Sequence, residues 1–171
     1  MAADAPADRP VRAYIGLGAN LGDARATLQA AGEALRHLAR CDWVAQSALY
    51  RTAPIDSSGP DYLNAVVALD CRLGADGALT LLRALQAIET EHGRLRPYRN
   101  APRTLDLDLL LYADQVIDLP DLVVPHPRLH LRAFVLHPLL ELDPALRLPG
   151  LGAASAHLAA VADQAIQRLD T

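Results

Sequence analysis

Two aspartates one residue apart, in the segment TLDLDLLLY (104–112), are the strongest chemical signal in this chain of 171 residues. Alternate side chains of a β-strand share a face. Thr104, Asp106, Asp108, Leu110 and Tyr112 are therefore expected to point one way, and Leu105, Leu107, Leu109 and Leu111 the other. The two carboxylates then stand about 6–7 Å apart along the strand. Unpaired, they would repel one another and resist desolvation, so positive charge is needed between them. A hard divalent cation such as Mg²⁺, its shell completed by phosphate, suits oxygen ligands on a rigid strand. A solvated strand face or Asp–Arg ion pairs would satisfy the same carboxylates without a ligand.

The segment just before the pair, RLRPYRNAPR (94–103), carries Arg94, Arg96, Arg99 and Arg103 and no acid, and is broken by Pro97 and Pro102. Metal-holding carboxylates beside loop guanidinium groups make a phosphoryl-transfer set. The metal orients a polyphosphate, and arginine takes up charge that develops on its oxygens. The alternative is a solvated basic loop paired to nearby acids. All 16 basic residues are arginine. Such a composition is also what a GC-rich genome produces. Whatever its cause, the absence of lysine excludes a P-loop of the form GxxxxGK[ST], a Schiff-base lysine and a lysine general base. With a net charge of −4 and one short arginine cluster, general nucleic-acid binding is not expected.

Other elements must hold these groups in place. VRAYIGLG (11–18) alternates as a strand, and a turn with glycine leads to helical spacing at Ala24, Leu28, Ala31, Leu35 and Leu38, with Asp23 as N-cap. Residues 43–51 and 62–70 read as further strands, separated by the loop TAPIDSSGPD. A second helix is expected over 76–92, burying Leu81, Leu85 and Ile88, with Gln86 and Glu89 on the neighbouring face. QVID (115–118) is expected to pair with the aspartate strand as a short edge. A short helix around 132–141 and an amphipathic helix over 155–169, on Leu158, Val161, Ala165 and Leu169, complete the chain. The order βαββαβ favours an α+β sandwich on a mainly antiparallel sheet.

The bulk numbers fit one domain over 11–171 after a disordered leader, 1–10, that lacks the apolar stretch of a signal peptide. No apolar run nears the ~18 residues of a membrane span. Cys41 and Cys71 lack CxxC spacing and fit reduced core thiols, so a cytoplasmic protein without membrane attachment is expected. GLGANLGD (16–23) is GxGxxxG, the wrong spacing for a dinucleotide fingerprint, and reads as a turn into a helix. In YLNA, Tyr62 and Asn64 share a strand face. That pair could stack on a flat heterocycle and read its edge, or be ordinary strand packing. His126 lies between two prolines and serves a structural role equally well.

Together, YRTAPI (50–55), PDYLNA (60–65), the run from Gln86 through GRLR (93–96) to RNAPRTLDLDLLLY (99–112), and VPHPRLHLRAFVLHPLLEL (124–142) resemble the 6-hydroxymethyl-7,8-dihydropterin pyrophosphokinases. The resemblance spans roughly residues 12–165, and APRTLDLD is its most specific part. It implies a ferredoxin-like, three-layer αβα fold and Mg²⁺-dependent transfer of pyrophosphate from ATP to a reduced pterin alcohol, releasing AMP in folate biosynthesis. It further implies two Mg²⁺ ions on Asp106 and Asp108, with Arg94 and Arg103 acting in the transition state and Arg96 on the polyphosphate. Gln86, Glu89, Leu109, His126 and Arg132 would line the ATP site. Tyr62 and Phe134 would sandwich the pterin, Asn64 would read its amide edge, and backbone groups of Thr52, Pro54 and Ile55 would complete the slot. A monomer is expected. A lysine and a tryptophan that some members carry in the arginine loop are absent here, and Pro127 replaces a tyrosine. Two rival readings are a metal-dependent nucleotidyl transferase or nuclease, which would need a broad basic track, and a ligand-sensing module, which would leave the aspartates without a metal to hold.

Overall fold

Strand β1 (Val11–Ala19) buries consecutive residues, Ala13, Tyr14 and Ile15, and so requires cover on both faces of its sheet. The computed structural model, which describes residues 9–54, 59–93 and 105–169, supplies that cover with helices on each side. β1 pairs antiparallel with β4 (Tyr62–Cys71) on one side and β5 (Asp106–Tyr112) on the other. Beyond β4 lie β2 (Cys41–Gln46) and β3 (Tyr50–Thr52), and β3 pairs in turn with β10 (Ile166–Arg168). The sheet has six strands in the order β10-β3-β4-β1-β5, with β2 also paired to β4.

Each strand distributes its residues by parity. Ala13, Ile15, Leu17, Ala65, Val67 and Leu69 meet Leu28 and Leu35 of α1 (Ala24–Arg36) and Leu81 and Leu85 of α2 (Gly77–Gly93). Tyr14, Val66 and Ala68 face the other way, towards Val135, Leu136 and Leu139 of α3 (Ala133–Leu142). The result is a three-layer, ferredoxin-like α+β fold, as expected. Asp23 caps α1 by accepting the Ala26 N–H at 3.0 Å. Gly77 begins α2 because any Cβ there would run into the buried Tyr112 ring and hydroxyl.

Several elements depart from expectation. The strand expected over 43–51 is split in two. A register shift leaves Val44 as an extra residue, and Ser47 Oγ accepts the Val66 N–H at 2.9 Å in place of a backbone carbonyl. In β5, Tyr14 pairs with Leu111 but Ile15 with Leu109, so Leu110 is the extra residue of a bulge. Parity therefore reverses after it: Leu111 joins the α3-side core and Tyr112 the α1/α2-side core, opposite to the simple alternation. The edge expected at 115–118 becomes β6 (Ile117–Leu119), paired with β7 (Leu122–Val124) rather than with β5.

The helix expected over 155–169 does not form. Residues 154–157 and 159–161 make 3₁₀ turns, β8 (Arg147–Leu148) and β9 (Gly152–Ala153) pair before them, and β10 follows. The open edge of β3 and a place for Ile166 in the α3-side core outweigh the alanine-rich helical pattern. Of the expected leader, residues 1–8 lie outside the described residues.

Glu141, near the end of α3, ties that helix to the sheet. It accepts hydrogen bonds from Ala48 N–H at 2.8 Å, Tyr50 O–H at 2.6 Å and Arg168 Nε at 3.4 Å. Burial opposes its charge, but the bonds from Tyr50, Ala48 and Arg168 outweigh burial and hold the carboxyl below its ordinary value. Burial and the same contact push the Tyr50 hydroxyl up to about 12. A carboxyl depressed in the folded state contributes stability that is complete above its unfolded value of about 4.3 and is lost as pH falls through the folded value. The stability advantage of the wild type over Glu141→Gln, read from urea midpoints, should therefore shrink between about pH 5 and about pH 3. A difference independent of pH would refute this account of the tether.

Candidate active site

The α3-side face of the sheet is not fully covered, because β1 contributes glycine where a side chain would otherwise stand. Asp106 pairs with Gly18 and Asp108 with Gly16, and these glycines pair on their other side with Asn64 and Val66 of β4. Paired residues share a face, so rows run Asp106–Gly18–Asn64–Tyr50 and Asp108–Gly16–Val66 across the strands. Asp106 is exposed and Asp108 half-buried, on the outermost strand of the sheet's main path. The floor beside Gly18 is thus backbone, while the Leu110 side chain lies against Gly16.

A cavity of about 620 Å³ occupies this floor, within the range of small-molecule sites. On the sheet side it is bounded by Asp106, Asp108, Tyr62, Asn64, Thr52 and Pro54, and on the opposite wall by Arg128, Leu131, Arg132, Phe134 and Gln164. Asn64 is 6% exposed and its amide is pinned, with Nδ2 donating to Thr52 Oγ1 at 3.0 Å. A Cβ on Gly18 would lie 3.2 Å from Asn64 Oδ1, so glycine keeps that oxygen free of crowding. Arg132 lays its guanidinium over the Phe134 ring at 5.5 Å, which leaves a cation and an aromatic face on one wall.

His126 is held beside the cavity rather than on its wall. Its N–H donates to Leu110 O at 3.0 Å, and its Nδ1 accepts the Arg128 N–H at 3.1 Å. Burial lowers its affinity for a proton. Asp108 works in the opposite direction, and Arg132 and Arg128 add to the lowering. With Nδ1 committed as acceptor, the neutral ring carries its proton on Nε2 and can donate from there.

The structure thus gathers Thr52, Pro54, Tyr62, Asn64, Asp106, Asp108, Arg132 and Phe134 around one space. Other expected residues lie elsewhere. Gln86 is exposed on α2, while Glu89 accepts the Leu107 N–H at 3.1 Å, securing the aspartate strand from behind. The Leu109 side chain is 4% exposed in the α1/α2-side core, on the face away from the aspartates, so it is not a cavity side chain. Ile55, Arg94, Arg96 and Arg103 lie outside the described residues. Gly16, Gly18, Arg128, Leu131 and Gln164 border the cavity without having been anticipated. For the glycines a signal was present: they repeat with the strand period of two, as the aspartates do, and belong to β1 rather than to the turn after it. Gln164 carried no such signal, since its role comes from contacts far along the chain.

The cavity therefore offers hard oxygen ligands, cations and a flat aromatic-and-amide slot, a combination suited to a polyphosphate and a planar heterocycle. Comparison with known proteins agrees. The model of the 7,8-dihydro-6-hydroxymethylpterin-pyrophosphokinase (HPPK) family matches residues 14–144. A 2-amino-4-hydroxy-6-hydroxymethyldihydropteridine pyrophosphokinase of Pseudomonas aeruginosa is 47% identical over 159 residues, 92% of this chain and 96% of the relative. The protein of the same name from Haemophilus influenzae is 41% identical over 140 residues, 81% of this chain and 86% of the relative. Among solved structures, a Plasmodium falciparum HPPK-DHPS with pteroate superposes with a TM-score of 0.72 at 13% identity, over 96% of this chain and 47% of that one. The likeness at that identity is one of fold, and this chain spans less than half of that protein.

The Asn64–Thr52 bond is the element of the slot most open to direct measurement. Thr52→Val keeps the shape but strands a buried amide donor, and should cost about 1–3 kcal/mol in urea unfolding. Thr52→Ser should stay near wild type. Equal stability of the valine and serine variants would show that the bond does not hold the amide.

Proposed function

Because the chain belongs to the 7,8-dihydro-6-hydroxymethylpterin-pyrophosphokinase family, we propose that it transfers pyrophosphate from ATP to the hydroxymethyl group of 6-hydroxymethyl-7,8-dihydropterin, releasing AMP, in folate biosynthesis. The observation that supports this reading most directly is the single cavity in which a carboxylate pair and an aromatic-and-amide slot meet. No described helix is long and apolar enough to cross a membrane, and the reading takes the protein as a cytoplasmic monomer.

Asp106 and Asp108 fit a hard divalent cation. They are oxygen donors on one strand face, with glycine opposite each and the cavity alongside. Mg²⁺ keeps several waters and takes few protein ligands, so two carboxylates are a sufficient protein set for it. When bound, two Mg²⁺ ions would neutralise and align the polyphosphate of ATP. Arg132 and neutral His126, with Arg96, bind the nucleotide's anionic part, and Gln86 and Glu89 border its remainder from α2. Tyr62 and Phe134 hold the pterin ring between them. Asn64, its Nδ2 already engaged by Thr52, presents Oδ1 to a donor on the heterocycle edge, with Thr52, Pro54 and Ile55 closing the slot.

The pterin hydroxymethyl oxygen then attacks the β-phosphorus in line, the bond from that phosphorus to the oxygen bridging to the α-phosphate breaks to free AMP, and the hydroxyl proton is released to water. A loose transition state needs alignment and charge stabilisation more than early removal of the alcohol proton, so no strong general base is required beside the alcohol. Arg94 and Arg103 take up the charge that develops on the transferred group.

Calorimetry of ATP with and without Mg²⁺, followed by the pterin, tests the reading as a whole. Both ligands should bind, ATP only with Mg²⁺, and Mg²⁺-independent ATP binding would count against it. Asp106→Ala should abolish the Mg²⁺-dependent component and lower turnover at least about 100-fold, and near-normal turnover would sink the metal assignment. Arg94→Ala should lower kcat by about 10²–10³-fold with pterin affinity little changed. An effect confined to binding would remove Arg94 from the transition state.

A further inference from the structure

The wall that carries Arg132 and Phe134 starts where α3 starts, and that start is capped from a distance. Arg132 occupies the N-cap position, but its side chain makes no capping hydrogen bond. Gln164 makes the cap instead. Its Oε1 accepts the Ala133 N–H at 2.9 Å, and its Nε2 donates to the Leu131 carbonyl at 2.9 Å. The two bonds fall on the peptide groups that flank Arg132, so one side-chain amide fixes the backbone on both sides of it.

Gln164 is itself anchored to the opposite side of the cavity. Its N–H donates to Val161 O at 3.0 Å, and two residues later Ile166 pairs with Thr52, the residue whose hydroxyl holds Asn64. Val161 and Ile166 sit in the same apolar cluster as Phe134. A continuous path thus runs from Arg132 and Phe134 on one wall, through Gln164 and β10, to Thr52 and Asn64 on the floor.

We propose that Gln164 is a positioning residue for both substrates: by bracing the Leu131 and Ala133 peptides against β10, it sets the width of the space between the Arg132–Phe134 wall and the Thr52–Asn64 floor. The proposal rests on the reading of the site given above. Loss of the brace frees the Ala133 N–H and lets the start of α3 drift, which moves the nucleotide cation and the pterin-stacking ring together. Neither Arg132 nor Phe134 belongs to the carboxylates and loop arginines assigned to the chemical step, so binding should suffer before chemistry does.

Gln164→Met keeps the length of the side chain and removes both hydrogen bonds, whereas Gln164→Glu keeps the acceptor for Ala133. In the methionine variant KM for ATP and for the pterin should each rise about tenfold, with kcat held within about threefold. Amide exchange at Ala133 should accelerate at least about tenfold while that of β1 and β4 stays at the wild-type rate. The glutamate variant should fall between wild type and methionine in both measurements, and it carries the test if the methionine variant does not fold. Unchanged KM values despite faster Ala133 exchange, or a fall in kcat alone, would overturn the proposal. Wild-type protein without pyrophosphokinase activity would refute the functional reading itself. An active wild type with an indistinguishable Gln164→Met refutes only the positioning role.

Discussion

Two like charges on one face of a strand can persist only where they keep access to water or to a cation, and the site is arranged around that constraint. Asp106 and Asp108 stand on the outermost strand of the sheet's main path, while the other face of the same strand is sealed by Leu105, Leu107 and Leu109. The neighbouring strand meets the two carboxylates with Gly18 and Gly16, and the cavity borders both. Glu89 secures the strand's backbone from the helix side without intruding on the open face. The strand is rigid on one side and accessible on the other, which is what a site handling a polyanion requires.

The remaining half of the cavity depends on connections between distant segments. Glu141 fastens the end of α3 to β3 and β10, and Gln164 fastens its beginning. Both attachments involve the stretch from 164 to 168, whose backbone extends the sheet next to Thr52. The helix that presents Phe134 is therefore held at both ends against the strands that present Asn64 and Thr52. Hydrogen bonds of defined length thus fix the separation of the two walls.

Much of this was legible in the residues. The run of alternating leucine and aspartate named the cavity-facing side of β5 through Asp108, because alternation is a property of the strand itself. The stripe Leu28, Ala31 and Leu35 located α1, and Asp23 its cap. The slot residues Tyr62 and Asn64 share a face by the same parity. The reading failed where one element's conformation depended on another. Leu111 and Tyr112 exchanged faces because a bulge at Leu110 changed the register against β1. Residues 155–169 have helical periodicity, yet an unpaired strand edge and a vacancy for Ile166 claimed part of them as β10.

By itself the sequence determined the chemical inventory: arginine without lysine, two carboxylates of equal parity, an aromatic and an amide of equal parity, and a cluster of family motifs in order. These follow from residue identity and from the local period of the chain. Only the tertiary structure decided what faces what. That Gly16 and Gly18 lie opposite the aspartates, that Thr52 pins Asn64, and that Gln164 braces Arg132 are matters of register and of contacts between segments far apart along the chain. Such contacts are settled by which strands pair and which faces bury, and no local pattern of residues encodes that choice.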